Sequence, residues 1–229
     1  MKAYAIVLSD NKVSQSGFEK LKESNEKFNN FKLNLFEAVT PDKVDTLLTQ
    51  YDIEWKYPKI GVEIDTHLKL KKSAYSNADI NKRIACSLSH YTLWNECANK
   101  NKPLLILEHD SIFIDKVTDK LLDTEFDILG INDPRNATRK STLFHSLLQH
   151  GKNKYQPVPR IDGEHIPQGL AGNSAYIIKP NGAKQLLKAV KKYGLWPNDA
   201  IMCYQLIDKL GVSKQYYTKV QGLQSTTTL

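Results

Sequence analysis

Glu108 and Asp110 stand directly after four aliphatic residues in succession, Leu104-Leu105-Ile106-Leu107. An unbroken apolar run of that length is typical of a strand buried on both faces. Side chains of an extended segment alternate in direction, so Glu108 and Asp110 are expected on one side and His109 on the other. Two carboxylates so placed form part of a site for a hard divalent cation, because Mg²⁺ and Mn²⁺ are held by one or two carboxylates together with substrate phosphates. In open α/β sheets ligands bind beyond the carboxyl ends of the strands, which is where this pair falls. Asp133, after the apolar run Phe126 to Ile131, is expected at the same rim. The competing reading makes these acids solvated loop residues or helix caps.

A second group invites a metal reading. Cys86, His90, Leu93 and Cys97 are spaced by four, three and four residues and share one helical face. A third ligand at suitable spacing is missing, and Ile84, Leu88 and Trp94 widen the same side into an apolar surface, so core cysteines with a satisfied histidine are expected rather than zinc. Other chemistries lack their signatures. Gly169-Leu-Ala-Gly172 does not have the spacing of a dinucleotide fingerprint, and neither a phosphate-binding GxxxxGK[ST] loop nor a GxSxG nucleophile elbow is present.

The elements that must carry these residues alternate between strand and helix. Ala3 to Leu8 and Phe31 to Val39 read as strands, Phe18 to Phe28 as an amphipathic helix, and Pro41-Asp42 restarts a helix. Residues 51–82 lose any period and are expected to be an irregular excursion. Ile84 to Asn99 reads as a helix, Ala175 to Ile178 as a third apolar strand, and Gly182 to Val190 as a helix capped by Asn181. The pattern predicts one α/β domain over residues 1–229 with a mostly parallel central sheet flanked by helices.

Composition agrees with a folded domain: 229 residues, 41% hydrophobic and 25% charged. The net charge of +7 is one-sided, since residues 1–115 carry 16 basic and 16 acidic side chains while residues 116–229 carry 16 and 9. Such a field attracts anionic partners, among them nucleic acid, phosphorylated ligands and acidic membrane surfaces. No stretch approaches the roughly 20 apolar residues of a membrane span. The three cysteines lack CxxC spacing, and the N-terminal apolar run is too short for a signal peptide, so a cytoplasmic protein is expected, peripheral to the inner face of a membrane.

Three segments together resemble glycosyltransferase family 25, which includes bacterial lipooligosaccharide galactosyltransferases and collagen galactosyltransferases. Arg83 to Trp94 is similar to that family's Cys-x-x-Ser-His-x-x-x-Trp helix, here Cys86, Ser89, His90 and Trp94. Leu104 to Asp110 resembles its apolar strand ending in Glu-Asp-Asp, with His109 in place of the middle Asp. Gly172 to Leu187 resembles its Gly-x-x-Ala-Tyr-Ile strand and following Gly-Ala-Lys helix. The likeness extends over most of residues 1–205, leaving about 206–229 outside it. It departs after the first strand, where Asp10 to Gln15 replaces the family's basic cluster.

The resemblance implies a GT-A fold and a hexosyltransferase of lipopolysaccharide biosynthesis. Galactose or glucose would pass from a UDP-sugar to a hydroxyl of a glycan or glycolipid, with Mn²⁺ or Mg²⁺ and inversion at the anomeric carbon. Glu108 and Asp110 are then the expected metal ligands, with His165 as a further candidate. Asp199, in Trp196-Pro-Asn-Asp199, is the expected catalytic base and Asp133 its reserve, with a helix over Ala200 to Leu206 and an N-cap role as the alternative for Asp199. Ser9, Arg83, Ser89, Gly172 and Asn173 are the donor-binding candidates. Two other readings remain at this point: a basic nucleic-acid-binding protein or metal-dependent nuclease, and an inactive member of the family that binds nucleotide-sugar. Nucleic acid is disfavoured as a partner because the basic residues after 116 form no dense or aromatic-interleaved strip.

Overall fold

The run Leu104–Leu107 is fully buried because it lies in the interior of a seven-stranded sheet, with a strand on either side. The computed structural model describes residues 1–29, 31–75, 79–135, 137 and 140–226. In chain order the elements open with β1 (Lys2–Val7), α1 (Lys12–Phe28) and β2 (Leu33–Glu37). A 3₁₀ turn (Pro41–Lys43) then leads into α2 (Val44–Tyr51), followed by β3 (Val62–Ile64), β4 (Lys71–Ser73) and α3 (Ile80–Lys100). Next come β5 (Leu104–Glu108), β6 (Ser111–Phe113), β7 (Ile128–Gly130), α4 (Ser141–His150) and β8 (Tyr155–Pro157). The chain continues through β9 (Ala175–Ile178), α5 (Pro180–Tyr193), α6 (Asn198–Ile201), β10 (Leu210–Ser213) and β11 (Thr218–Val220).

The large sheet has the order β2-β1-β5-β9-β7-β10-β8. β1 runs parallel to β2 and β5, and β10 parallel to β7, while β9 runs antiparallel to both of its neighbours and β8 antiparallel to β10. The sheet is therefore mixed. Reversal of β9 has a direct consequence for position: Leu107 pairs with Ala175, and the Glu108 amide donates to the Ser174 carbonyl at 2.8 Å. The loop that enters β9 thereby lies beside the carboxyl end of β5.

Period-2 alternation sends the strands into two cores. Ile106, Tyr176 and Ile178 meet Leu88, Trp94 and Leu186 of α3 and α5 on one face. Leu105, Leu107 and Ile177 meet Phe18 and Leu21 of α1, with Phe113 and Tyr217, on the other. α1 begins at its cap, where Asn11 Oδ1 accepts from the Ser14 amide at 3.0 Å, six residues before the apolar stripe becomes legible. α3 likewise starts behind Asp79, whose side chain accepts from the Asn81 amide at 2.9 Å.

Several expectations are corrected. Residues 51–82 are not wholly irregular, since β3 and β4 form a hairpin there; its apolar positions face outward, so it has no burial pattern to read. Asn181 does not cap α5, which begins behind Lys179; its amide instead donates to Asp127 at 2.5 Å. The helix expected over Ala200 to Leu206 is the single turn α6, with Pro197 rather than Asp199 at its N-cap. The alternation expected through Asp110 also fails, because β5 stops at Glu108 and a turn at His109-Asp110 leads into β6.

Candidate active site

A cleft of about 320 Å³ opens at the carboxyl end of β5. Glu108, His109 and Asp110 all border it, as the turn dictates, together with Arg83, Ser89, Gly172, Asn173 and Asp199. Helix α3 supplies Arg83, Cys86, Ser89 and His90, the loop before β9 supplies Gly172 and Asn173, and α6 supplies Asp199. Gly172 has φ of +87°, and a side chain there would meet Ala137 Cβ at 2.8 Å, so this backbone approaches its neighbour as only glycine allows.

Glu108 is held from behind by a chain of buried groups. Trp94 Nε1 donates to the Tyr176 hydroxyl at 2.8 Å, that hydroxyl meets His90 Nδ1 at 2.8 Å, and His90 Nε2 meets Glu108 Oε1 at 3.2 Å. An indole N–H can only donate, so the tyrosine's own proton is free for His90 Nδ1, and the imidazole then carries its proton on Nε2 and donates to Glu108. Every member of the chain is satisfied in that arrangement. Burial alone would raise the Glu108 pKa, but the hydrogen bond from His90 and the electrostatic influence of the nearby imidazoles and the Arg83 guanidinium outweigh it and hold the carboxyl below its ordinary value.

Asp110 differs from its neighbour. Burial and the Glu108 charge push its pKa up, and Oδ1 is buried without a hydrogen-bond partner among the described residues. Asp199 is similar: burial raises its pKa, Arg83 and a hydrogen bond from Tyr75 pull it back only in part, and Oδ1 has no partner among the described residues. Asn173 Oδ1 is a third such atom. A buried carboxylate oxygen without a partner is costly. The Asp110 oxygen beside the Glu108 carboxylate makes a hard-oxygen donor set that suits Mg²⁺ or Mn²⁺. The residues present thus fit the cation that the resemblance implies.

The third ligand missing from the α3 spacing is supplied by β5: Cys86, His90 and Glu108 place one ligand atom each within 4.8 Å of one another. In this geometry His90 Nε2 is engaged by Glu108, and burial pushes the Cys86 thiol up, which favours the protonated form that does not ligate. The histidine is a buried, satisfied one, and Cys97 lies in the core.

The other candidates fall elsewhere. Ser9 does not border the cleft; its amide and hydroxyl both donate to Glu37. Asp133 is gripped by Arg135, with Nε to Oδ1 at 3.0 Å and Nη2 to Oδ2 at 2.6 Å, and does not line the cleft. His165 is exposed in the loop before β9 and does not border the cleft. Ser89 does border it, but its hydroxyl donates to Ala85 O and accepts from the Val39 amide at 2.9 Å, which binds α3 to the loop after β2. Sequence reasoning missed Tyr75, Tyr176 and Gln221. Tyr75 holds Asp199 and lies under the Arg83 guanidinium, 4.7 Å from ring centroid to Cζ. Gln221 Nε2 contacts the carbonyls of Gly17, His109 and Ser111 at 2.8, 3.2 and 3.0 Å, and Leu223 to Thr226 border the cleft beside it. Only the Tyr in Ala-Tyr-Ile carried any signal in the sequence.

Comparison with known proteins gives the family. The model of glycosyltransferase family 25, described as LPS biosynthesis proteins, matches residues 4–202. The lipooligosaccharide biosynthesis protein lic2B of Haemophilus influenzae is 26% identical over 161 residues, covering 69% of this chain and 53% of that protein. The chain thus spans about half the length of that curated relative. Among solved structures, mouse xyloside xylosyltransferase 1 in apo form aligns over 90% of this chain and 80% of its own, with a TM-score of 0.46 at 10% identity. The galactosyltransferase LgtC, solved with donor and acceptor sugar analogs, aligns over 93% and 72%, with a TM-score of 0.40 at 8% identity. The family match runs from β1 through α6 and takes in Glu108, Asp110 and Asp199, so the chain is a member of glycosyltransferase family 25.

Proposed function

We propose that this protein transfers a hexose, galactose or glucose, from a UDP-sugar to a hydroxyl of a glycan or glycolipid in lipooligosaccharide assembly, with inversion. The reading is carried by one observation: within one cleft, Asp110 and Asp199 each bury a carboxylate oxygen that has no partner among the described residues. One of these acids stands beside Glu108, and the other is supplied by a different element. Glu108 and Asp110 would hold Mn²⁺ or Mg²⁺, whose chemistry is Lewis-acid neutralisation of charge on the departing diphosphate. Arg83, also in the cleft, adds a fixed positive charge for phosphate oxygens.

Asp199 is the general base. As the acceptor oxygen bonds to the anomeric carbon and the bond from that carbon to the diphosphate oxygen breaks, the hydroxyl proton moves to Asp199 Oδ1. A raised carboxylate pKa suits this role, since it brings the base closer to the working pH. Tyr75 orients the carboxylate by its hydrogen bond. The backbone at Gly172 and the Asn173 side chain border the space where the donor sugar would lie.

Thermal melting with UDP, Mn²⁺ and both together tests the reading. Binding to the native state alone raises stability by about 2.7 kcal/mol at a hundredfold excess over Kd. The two ligands together are expected to raise Tm more than either alone, and a screen of UDP-sugars for slow Mn²⁺-dependent hydrolysis then identifies the donor. No shift with any nucleotide in the presence of metal would refute it.

A further inference from the structure

Among the described residues, the three most exposed large aliphatic side chains lie on or beside the hairpin β3–β4. Ile60, Val62 and Ile64 are 87, 55 and 66% exposed. Their even spacing puts Val62 and Ile64 on one face of β3, with Glu63 on the other. The register sets Val62 opposite Ser73 and Ile64 opposite Lys71. Three exposed lysines, Lys59, Lys69 and Lys71, border this apolar strip.

The hairpin is rigid rather than a loose loop. Asp65 Oδ1 accepts from the amides of His67 and Leu68 at 3.0 Å each, closing the turn. Lys72, 6% exposed, donates to Lys56 O at 2.8 Å, pairs with Asp65 at 3.5 Å and lies 5.1 Å from the Trp196 ring centroid. The Ala74 amide donates to Gly61 O at 2.9 Å, and that of Lys71 to His165 O at 2.6 Å. Folding therefore fixes three branched aliphatics in water although the chain has a core that could take them.

We propose that this hairpin is a docking element for an anionic bilayer surface. Aliphatic side chains flanked by lysines suit the headgroup boundary: the apolar side chains enter the outer acyl region while the lysine stems lie along it with their ammonium groups among lipid phosphates. The charge around the strip is complementary to that surface. Among the exposed side chains of residues 59–73 three lysines stand against the single carboxylate Glu63, which lies on the other face, and Asp65 is already paired with Lys72. The hairpin also leads into the site. β4 ends at Ser73, and Tyr75, two residues on, holds Asp199. Docking here brings the segment that holds Asp199 close to the bilayer, which suits an acceptor carried on a lipid; that consequence rests on the proposed transferase function, whereas docking itself does not.

Co-sedimentation of the full chain with vesicles tests it. Binding is expected to phosphatidylglycerol-containing vesicles, weakly or not at all to phosphatidylcholine alone, and to fall with added salt. Each lysine near a charged surface is worth roughly fivefold in partitioning. Lys59→Gln, Lys69→Gln and Lys71→Gln together should then lower it on the order of a hundredfold. Ile60→Ser, Val62→Ser and Ile64→Ser together should abolish binding, with Tm and the UDP-induced Tm shift unchanged. Three results overturn the proposal: no binding by the unmodified chain, undiminished binding by the serine variant, or sedimentation velocity in lipid-free buffer showing a dimer that the serine variant converts to monomer, which would make the strip an interface between copies. The UDP shift is read separately, so failure of docking leaves the transferase reading standing, and the reverse holds too.

Discussion

Asp110 and Asp199 are both buried carboxyls with raised pKa values, yet they call for different tests. Asp110→Asn keeps the shape of the side chain but removes its charge, and is expected to weaken Mn²⁺ binding at least tenfold, read by titration of the free ion's electron paramagnetic resonance signal. Asp199→Asn is expected to leave Mn²⁺ and UDP binding in place and lower kcat by about 10²- to 10⁴-fold. The pH dependence follows from the direction of the shift. In the unfolded chain Asp199 releases its proton near 3.8, in the folded chain at a higher pH. Between those values the native state holds more protons, so Asp199 costs stability progressively as pH rises through that window. Asp199→Asn removes this cost, so its gain in denaturation midpoint over the parent protein should grow with pH there and then level off. The acid limb of the parent's kcat against pH should lie above the ordinary carboxylate range.

At this scale much of the site was legible. Glu108 and Asp110 were marked by the abrupt change from four aliphatics to acid, and Asp199, Arg83, Gly172 and Asn173 by family-like segments. Ser9 and Asp133 had the right residue types, but nearby polar groups claim them: Glu37 reaches Ser9 from the neighbouring strand β2, and Arg135 folds back on Asp133 in a turn after β7. Residue type reports capacity to bond, not which partner arrives first.

Elements carry information that runs of residue types cannot. Ala175 to Ile178 read as a buried strand, which it is, but four apolar residues look the same in either direction, so its antiparallel course was not legible. That course depends on α4, β8 and the long loop between β7 and β9. It lets Tyr176 project from β9 toward α3, where its hydroxyl joins Trp94 to His90. Tyr176→Phe would leave an indole N–H and an imidazole nitrogen without partners where Trp94 and His90 have 0% exposure. At about 1 to 3 kcal/mol for each orphaned group, a loss of about 2 to 6 kcal/mol is expected in chemical denaturation. His90→Gln, which can still donate to Glu108, should retain more Mn²⁺ affinity than His90→Ala, a difference that a purely space-filling histidine would not produce.

Over the whole molecule, the first and last parts of the chain meet at the cleft. β11 pairs with β6, whose first residue Ser111 follows Asp110, and Gln221 reaches the carbonyls on both sides of that aspartate as well as Gly17 of α1. A chain cut after Lys209 retains Arg83, Glu108, Asp110, Asn173 and Asp199, and every residue within the family match. It is nonetheless expected to lose Mn²⁺-dependent UDP binding in isothermal titration, whereas Gln221→Ala in the full chain weakens it less. The order of synthesis gives this arrangement a further meaning. A ribosome completes the acidic rim at residue 110 long before it delivers the glutamine that braces it. Until residue 221 has cleared the exit tunnel, the nascent chain holds its acids on an unbraced turn. Bracing of the proposed metal ligands therefore waits on a residue made more than a hundred positions later, after most of the sheet strands have been supplied.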